Sequence, residues 1–174
     1  MDVDKLIFLD ECSVNTGMTR LYGRSTSSKR IVDYTPDVRF ERTSLLSSVR
    51  LNGDTVPLVF EGSLNGEFFK EYISKCLVPT LKAGDIVIMD NLTCHKVKGV
   101  VEPIYAVGAS VLYLPPYSPD FNPIEMMWSK IKAYLRKVKA RTYEDLFTAI
   151  AKALDLVSCS DILGWFNDNG YSVQ

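Results

Sequence analysis

The chain has 174 residues, 47% of them hydrophobic and 24% charged, with a formal net charge of −1. Such a length suits one domain that buries its own core without staples, and the composition excludes both a disordered chain and a membrane protein. No stretch approaches the roughly 20 apolar residues of a membrane span, and the acidic start Met1-Asp2-Val3-Asp4-Lys5 has no signal-peptide core, so a soluble cytoplasmic protein is expected.

Leu6-Ile7-Phe8-Leu9 followed by Asp10 has the form of a central strand, covered on both faces and ending in a functional group. Residues 11–42 are rich in Ser and Thr and carry Arg20, Arg24, Lys29, Arg30, Arg39 and Arg42. A connection this long with so little periodicity is usually functional or mobile, although a solvated excursion with a short hairpin near Tyr22 also fits. Residues 43–51 and 55–61 read as two strands joined by Asn52-Gly53-Asp54, a hairpin signal. From Asn65 to Leu81 the stripe Phe68, Phe69, Tyr72, Ile73 and Leu77 predicts a helix capped by Asn65 or Ser63.

Ile86-Val87-Ile88-Met89 repeats the design of four apolar residues and then an aspartate, here Asp90. A helix over 96–107 is weakened by Gly99 and interrupted by Pro103, and Ser110 to Leu114 reads as a last, short, buried strand. Alternating strand and helix in this half favour parallel pairing through right-handed crossovers. The expected fold is therefore α/β: a central mixed five-stranded sheet, three antiparallel strands then two parallel, flanked by helices.

Pro115, Pro116 and Pro119 stiffen the loop that follows, and a helix opens on Asn122-Pro123 with Glu125 in its first turn. Ile124, Met127, Trp128, Ile131, Leu135 and Val138 share one helical face. Lys130, Lys132, Arg136, Lys137, Lys139 and Arg141 make the rest basic, which is either a local phosphate-binding surface in a nearly neutral chain or a merely solvated face. A helix over 143–157 capped by Thr142, and a last one over 160–167, complete the chain.

If the strands of Asp10 and Asp90 are neighbours and the helix of Glu125 packs beside them, three carboxylates converge with no local Lys or Arg to neutralise them. Such a cluster repels itself unless divalent cations sit in it. The blander alternatives are strand-end turn roles for the aspartates and a capping box between Asn122 and Glu125. Glu11 has no assigned role. Cys12, Cys76, Cys94 and Cys159 are scattered, without a C-x-x-C pair, so neither disulfides nor a zinc site are expected. No phosphate-binding G-x-x-x-x-G-K-[ST] loop or G-x-S-x-G elbow occurs.

Asp10, Asp90 and Glu125, with 125 − 90 = 35 positions between the last two and the third inside PPYSPDFNPIEMMW, resemble the DDE transposases of the mariner superfamily, in particular those of bacterial insertion sequences. Leu9-Asp10-Glu11, Tyr22-Gly23-Arg24 and Asp90-Asn91 followed by His95 extend the resemblance, which runs from Phe8 to about Trp165. It implies a ribonuclease H-like fold and two Mg²⁺ or Mn²⁺ ions, bridged by Asp10 and completed by Asp90 on one side and Glu125 on the other. It implies cut-and-paste transposition, in which water nicks DNA at the element's end and the freed 3′-hydroxyl attacks target DNA, at TA in this family. It further implies DNA as partner, a homodimer in the active complex, a nucleoid-associated location, and near-site roles for Asn91, His95 and Asn122. The DNA-binding candidates are Arg24, Lys29, Arg30, Lys130, Lys132, Arg136, Lys137 and Lys139. Only nine residues precede Asp10, where the family carries helix-turn-helix modules, so a catalytic fragment or a product needing a separate N-terminal DNA-binding partner is expected. Another ribonuclease H-like nuclease, or a non-catalytic relic that binds DNA or dimerises, are the competing readings.

Overall fold

Leu6–Val14 form strand β1, the longest in the sheet and buried through its first five residues. In the computed structural model, which describes residues 2–26, 29–37, 40–116 and 118–171, the sheet also contains β2 (Thr43–Arg50), β3 (Leu58–Glu61), β4 (Ile86–Met89) and β5 (Ser110–Tyr113). Their order is β3-β2-β1-β4-β5, with β1, β2 and β3 antiparallel and β1, β4 and β5 parallel. This is the ribonuclease H-like arrangement expected from the sequence.

Side chains alternate across a strand, and here the alternation divides the protein into two cores. Leu6, Phe8, Cys12 and Val14 join Ile88, Leu45 and Val49 beneath helices α3 (Pro123–Val138), α4 (Tyr143–Asp155) and α5 (Cys159–Asp168). Ile7 and Leu9 join Val87, Met89 and Leu46 on the other face, against α1 (Gly66–Tyr72) and Ile104 of α2 (Glu102–Ala106). The parity carries through to Asp10, which belongs to the α3 side, and Glu11, which belongs to the α1 side.

Several expected elements are shorter or differently placed. β1 runs four residues past Asp10, while its pairing with β4 stops at Phe8 and Ile88, so Asp10 stands at the sheet's carboxyl edge only with respect to β4. The second hairpin strand begins at Leu58 because Pro57 has no N–H for the ladder; Thr55 forms an isolated bridge with Val49, and Gly53 takes φ 97° in the turn. Asn65 caps α1 as expected, but the helix widens into a π turn at Ile73–Leu77 and tightens to 3-10 at Val78–Thr80, where Pro79 has no N–H to continue it. Pro103 does not interrupt α2; it sits in the first turn, where a missing N–H costs nothing. β5 is an edge strand rather than a buried one, and Leu112 is 44% exposed. Val138 is likewise exposed, because α3 ends there with Lys139 in the left-handed conformation. No strand forms near Tyr22 among the described residues, and Arg39 lies outside them. No described helix is long and apolar enough to cross a membrane.

One buried ion pair fastens the end of β2 to the start of β4. Arg50 Nη2 donates to Asp85 Oδ2 at 2.6 Å, and the Lys82 N–H donates to the same oxygen at 2.7 Å. Burial alone would raise the Asp85 carboxyl, but these donors hold it below the usual carboxylate range. A depressed folded-state pKa adds stability above the unfolded value and loses it as pH falls through the folded one. Asp85→Asn is therefore expected to cost about 1.5–3 kcal/mol at pH 7. In urea titrations the gap from wild type should close below about pH 4, the unfolded Asp range; a gap unchanged there would show the pair contributes through packing alone.

Candidate active site

The stretch after β5 is built to present one carboxylate. The Leu114 N–H donates to Met89 O at 2.9 Å, and Asn91 Nδ2 donates to Leu114 O, so the ends of β4 and β5 are tied together. Pro115 and Pro116 then lead to a 3-10 turn at Pro119–Phe121, which closes with Asn122 N on Pro119 O at 2.9 Å. Pro123 starts α3, and Glu125 in its first turn is exposed. The capping box does not form: the Asn122 side chain makes no cap bond, and its Oδ1 is buried without a partner.

Asp10, Asp90 and Glu125 line a single cleft of about 480 Å³, with Asn91, Asn122 and the proline loop as its other walls. Among the described residues no Lys or Arg lines it. Asp10 is 6% exposed, and its Oδ2 accepts from Trp128 Nε1 at 3.2 Å. Burial, then the nearby charges of Glu125, Glu11 and Asp90, push its carboxyl up to about 8, against the opposing pull of the Glu11 N–H. The fold thus concentrates negative charge that only a proton or a cation relieves.

Asp90 follows β4 and turns back on itself: the Leu92 N–H donates to its Oδ1 at 3.0 Å, and Nδ1 of His95 lies 2.7 Å from the same oxygen. Burial would raise Asp90, but His95, the Leu92 N–H and Lys96 hold it below the usual range. His95 is fully buried and stacked on Phe69 with centroids 4.3 Å apart; its Nε2 lies 3.3 Å from Glu11 Oε2. Burial favours the neutral ring, yet Asp90 and Glu11 outweigh it and lift His95 to about 9, so the ring is an imidazolium bridging two carboxylates at neutral pH. Donor atoms of Glu11, Cys94 and His95 lie within 4.8 Å of one another, a grouping this bridge accounts for. Burial pushes the Cys12 thiol up to about 12, which makes it inert, and the four cysteines are free.

Two residues escaped the sequence reading. Glu11 was visible only as the residue after Asp10, and the two-residue period of its strand was the signal that sends it to the His95 face. Trp128 reads as core because it falls on the apolar stripe, but it stands three residues after Glu125, one turn along the same helix.

The basic candidates separate into committed and free groups. Lys130 pairs with Asp161 and Lys139 with Asp33, each at 2.5 Å. Lys132 and Arg136 line a second cleft with Ser13, Asn15 and Thr19, at the carboxyl end of β1, and neither is in an ion pair among the described residues. Lys137, Arg24, Lys29 and Arg30 are exposed, the last three on the 15–42 excursion, which Arg141 anchors by donating to Thr16 O and Met18 O at 2.6 and 3.1 Å.

A carboxyl raised on folding adds stability below its unfolded pKa and loses it as pH rises through the folded one. Wild-type protein in EDTA should therefore lose more thermal stability between about pH 4 and 8 than Asp10→Asn, in which only the raised His95 still contributes a loss above about pH 6.5. Each displaced unit corresponds to about 1.4 kcal/mol, and each kcal/mol to roughly 2–4 °C in a domain of this size. A metal-free Asp10→Asn variant that melts several degrees above wild type at pH 8 is the expected result; equal melting would show that Asp10 is not electrostatically crowded.

A family model for the DDE superfamily endonuclease matches residues 5–147. Among solved structures the Mos1 transposase paired-end complex with left transposon end superposes with a TM-score of 0.75 at 13% identity, covering 95% of this chain and 52% of that one. The mariner Mos1 paired end complex with Mg gives 0.73 at 15% identity, covering 98% and 53%. The catalytic domain of Mos1 mariner transposase gives 0.66 at 12% identity, covering 95% and 77%. The chain thus spans about half the length of the Mos1 chains in the complexes. A search of curated proteins returns no match. With the fold of the Mos1 catalytic domain, and a family match that runs through Asp10, Asp90 and Glu125, the chain belongs to the DDE superfamily endonucleases.

Proposed function

We propose that this chain is a divalent-cation-dependent DNA transposase catalytic domain that cleaves a strand at an element's end and transfers the 3′-hydroxyl to target DNA, at TA. The observation that carries the reading is the convergence of Asp10, Asp90 and Glu125 on one cleft that no described Lys or Arg lines. The donor set fits Mg²⁺ or Mn²⁺, hard cations that take carboxylate oxygens and retain water and phosphate ligands. Mos1 structures solved with Mg and with Mn, and with transposon-end DNA, support the same choice. Asp10, Asp90 and Glu125 would hold the cations, whose chemistry when bound would be to activate the attacking oxygen and to stabilise the leaving one at phosphorus.

The protein's own part is placement. β1 holds Asp10 two residues past its pairing with β4, β4 ends just before Asp90, the proline loop and Pro123 fix Glu125, and the His95 imidazolium holds Asp90 at Oδ1. Asn91 and Asn122, in the cleft wall, are suited to contact the scissile phosphate or its bound water. Lys132, Arg136 and Lys137, with Arg24, Lys29 and Arg30, would carry the DNA backbone, whereas Lys130 and Lys139 are withdrawn into ion pairs. Recognition of element ends would involve a helix-turn-helix DNA-binding partner, in a homodimeric, nucleoid-associated complex.

Incubation with element-end duplex and Mn²⁺ or Mg²⁺ should give nicks and 3′-end joining that EDTA and Asp90→Asn both abolish. DNA binding without cation-dependent nicking would favour the non-catalytic reading, and cleavage confined to RNA–DNA hybrids would favour another nuclease. Replacing Lys132 and Arg136 with Ala should lower the slope of log affinity against log salt by about 2, while Lys130→Ala leaves it unchanged, since each neutralised phosphate contributes about 0.9. An unchanged slope in the double variant would place the DNA elsewhere.

A further inference from the structure

The Asp10 carboxyl group is held from a helix 118 residues away in sequence, by a side-chain donor that carries no charge. Trp128 Nε1 donates to Asp10 Oδ2 at 3.2 Å; Trp128 is 1% exposed and Asp10 6%. A buried indole N–H needs a partner, and a carboxylate accepts only, so the two satisfy each other where water is excluded. A Lys or Arg in this place would give a stronger bond but would cancel the negative charge that attracts a cation. An indole donates with no formal charge, so it fixes direction without competing for the anion's field.

Trp128 also stands one turn beyond Glu125 on α3, a helix whose start is set by Pro123. The same rigid turn therefore carries one cleft carboxylate and the donor that aims another. We propose that Trp128 is a positioning residue, whose indole N–H locks Asp10 to α3 and so fixes the separation of Asp10 and Glu125 for cation binding. This rests on reading those two acids as cation ligands. Trp128 does not line the cleft; it acts through Asp10, as outer donors do at metal sites, where their loss costs about 10- to 100-fold in affinity.

Two measurements on the whole chain test it. In ¹⁵N-labelled, metal-free protein, Asp10→Asn should shift the Trp128 indole N–H resonance and leave that of Trp165, the second tryptophan, in place; an unmoved Trp128 signal overturns the proposal. Mn²⁺ titrations followed by electron paramagnetic resonance should show Trp128→Phe, checked for native circular dichroism, binding about 10- to 100-fold more weakly than wild type. Binding within twofold of wild type by the folded variant overturns the proposal alone. No Mn²⁺ binding by wild type overturns the cation reading and the positioning role with it. Should Trp128→Phe fail to fold, the indole resonance still decides, because it needs only Asp10→Asn.

Discussion

Repulsion among carboxylates is the constraint on which this structure turns. Asp10 is buried beside Glu11, Asp90 and Glu125, a placement that burial and like charge both oppose. The cost is met by two apolar cores that leave the sheet no freedom to spread. Leu6 to Leu9 are essentially inaccessible, sandwiched between α3–α5 on one side and α1 and α2 on the other. Charge is managed differently at each acid. Asp90 receives an imidazolium and a backbone N–H, Asp10 receives a neutral indole, and Glu125 is left to solvent. This graded neutralisation keeps the cluster folded while leaving the cleft acidic.

The arrangement also segregates the charge of a chain whose net charge is only −1. Negative charge is gathered in one cleft, and positive charge is displaced along α3 and the excursion, so the molecule is polarised rather than uniformly basic. Part of the apparent basicity is internal. Lys130 and Lys139 clamp α5 and the excursion to α3, leaving Lys132 and Arg136 to define the surface beside the end of β1.

Much of this could be read from the sequence, for identifiable reasons. Strands with four apolar residues and a terminal Asp announce themselves because both faces are covered, and the Asn-Gly turn and Asn65 cap are local signals that tertiary context did not override. The proline string pinned Glu125 for the same reason. Illegible were the features that depend on partners remote in the chain. The Asn122 cap failed because its backbone had already closed a 3-10 turn, and β5 proved to be an edge strand because no further strand pairs with it among the described residues. Lys130 and Lys139 looked free because Asp161 and Asp33 are 31 and 106 residues distant. His95 was expected near the site, but its role as a bridge required knowing that Glu11 shares its face.

Neighbours along β1, Asp10 and Glu11 serve opposite sides of the sheet, one meeting Trp128 and the other His95. It follows that this segment tolerates exchanges of side chain far better than changes of count. Swapping one aliphatic for another between Leu6 and Leu9 alters packing by a methyl group, whereas deleting or inserting a single residue there would turn every later side chain over and hand the indole a glutamate or a leucine. The lineage of this protein is therefore free to drift in spelling along β1, but not in metre.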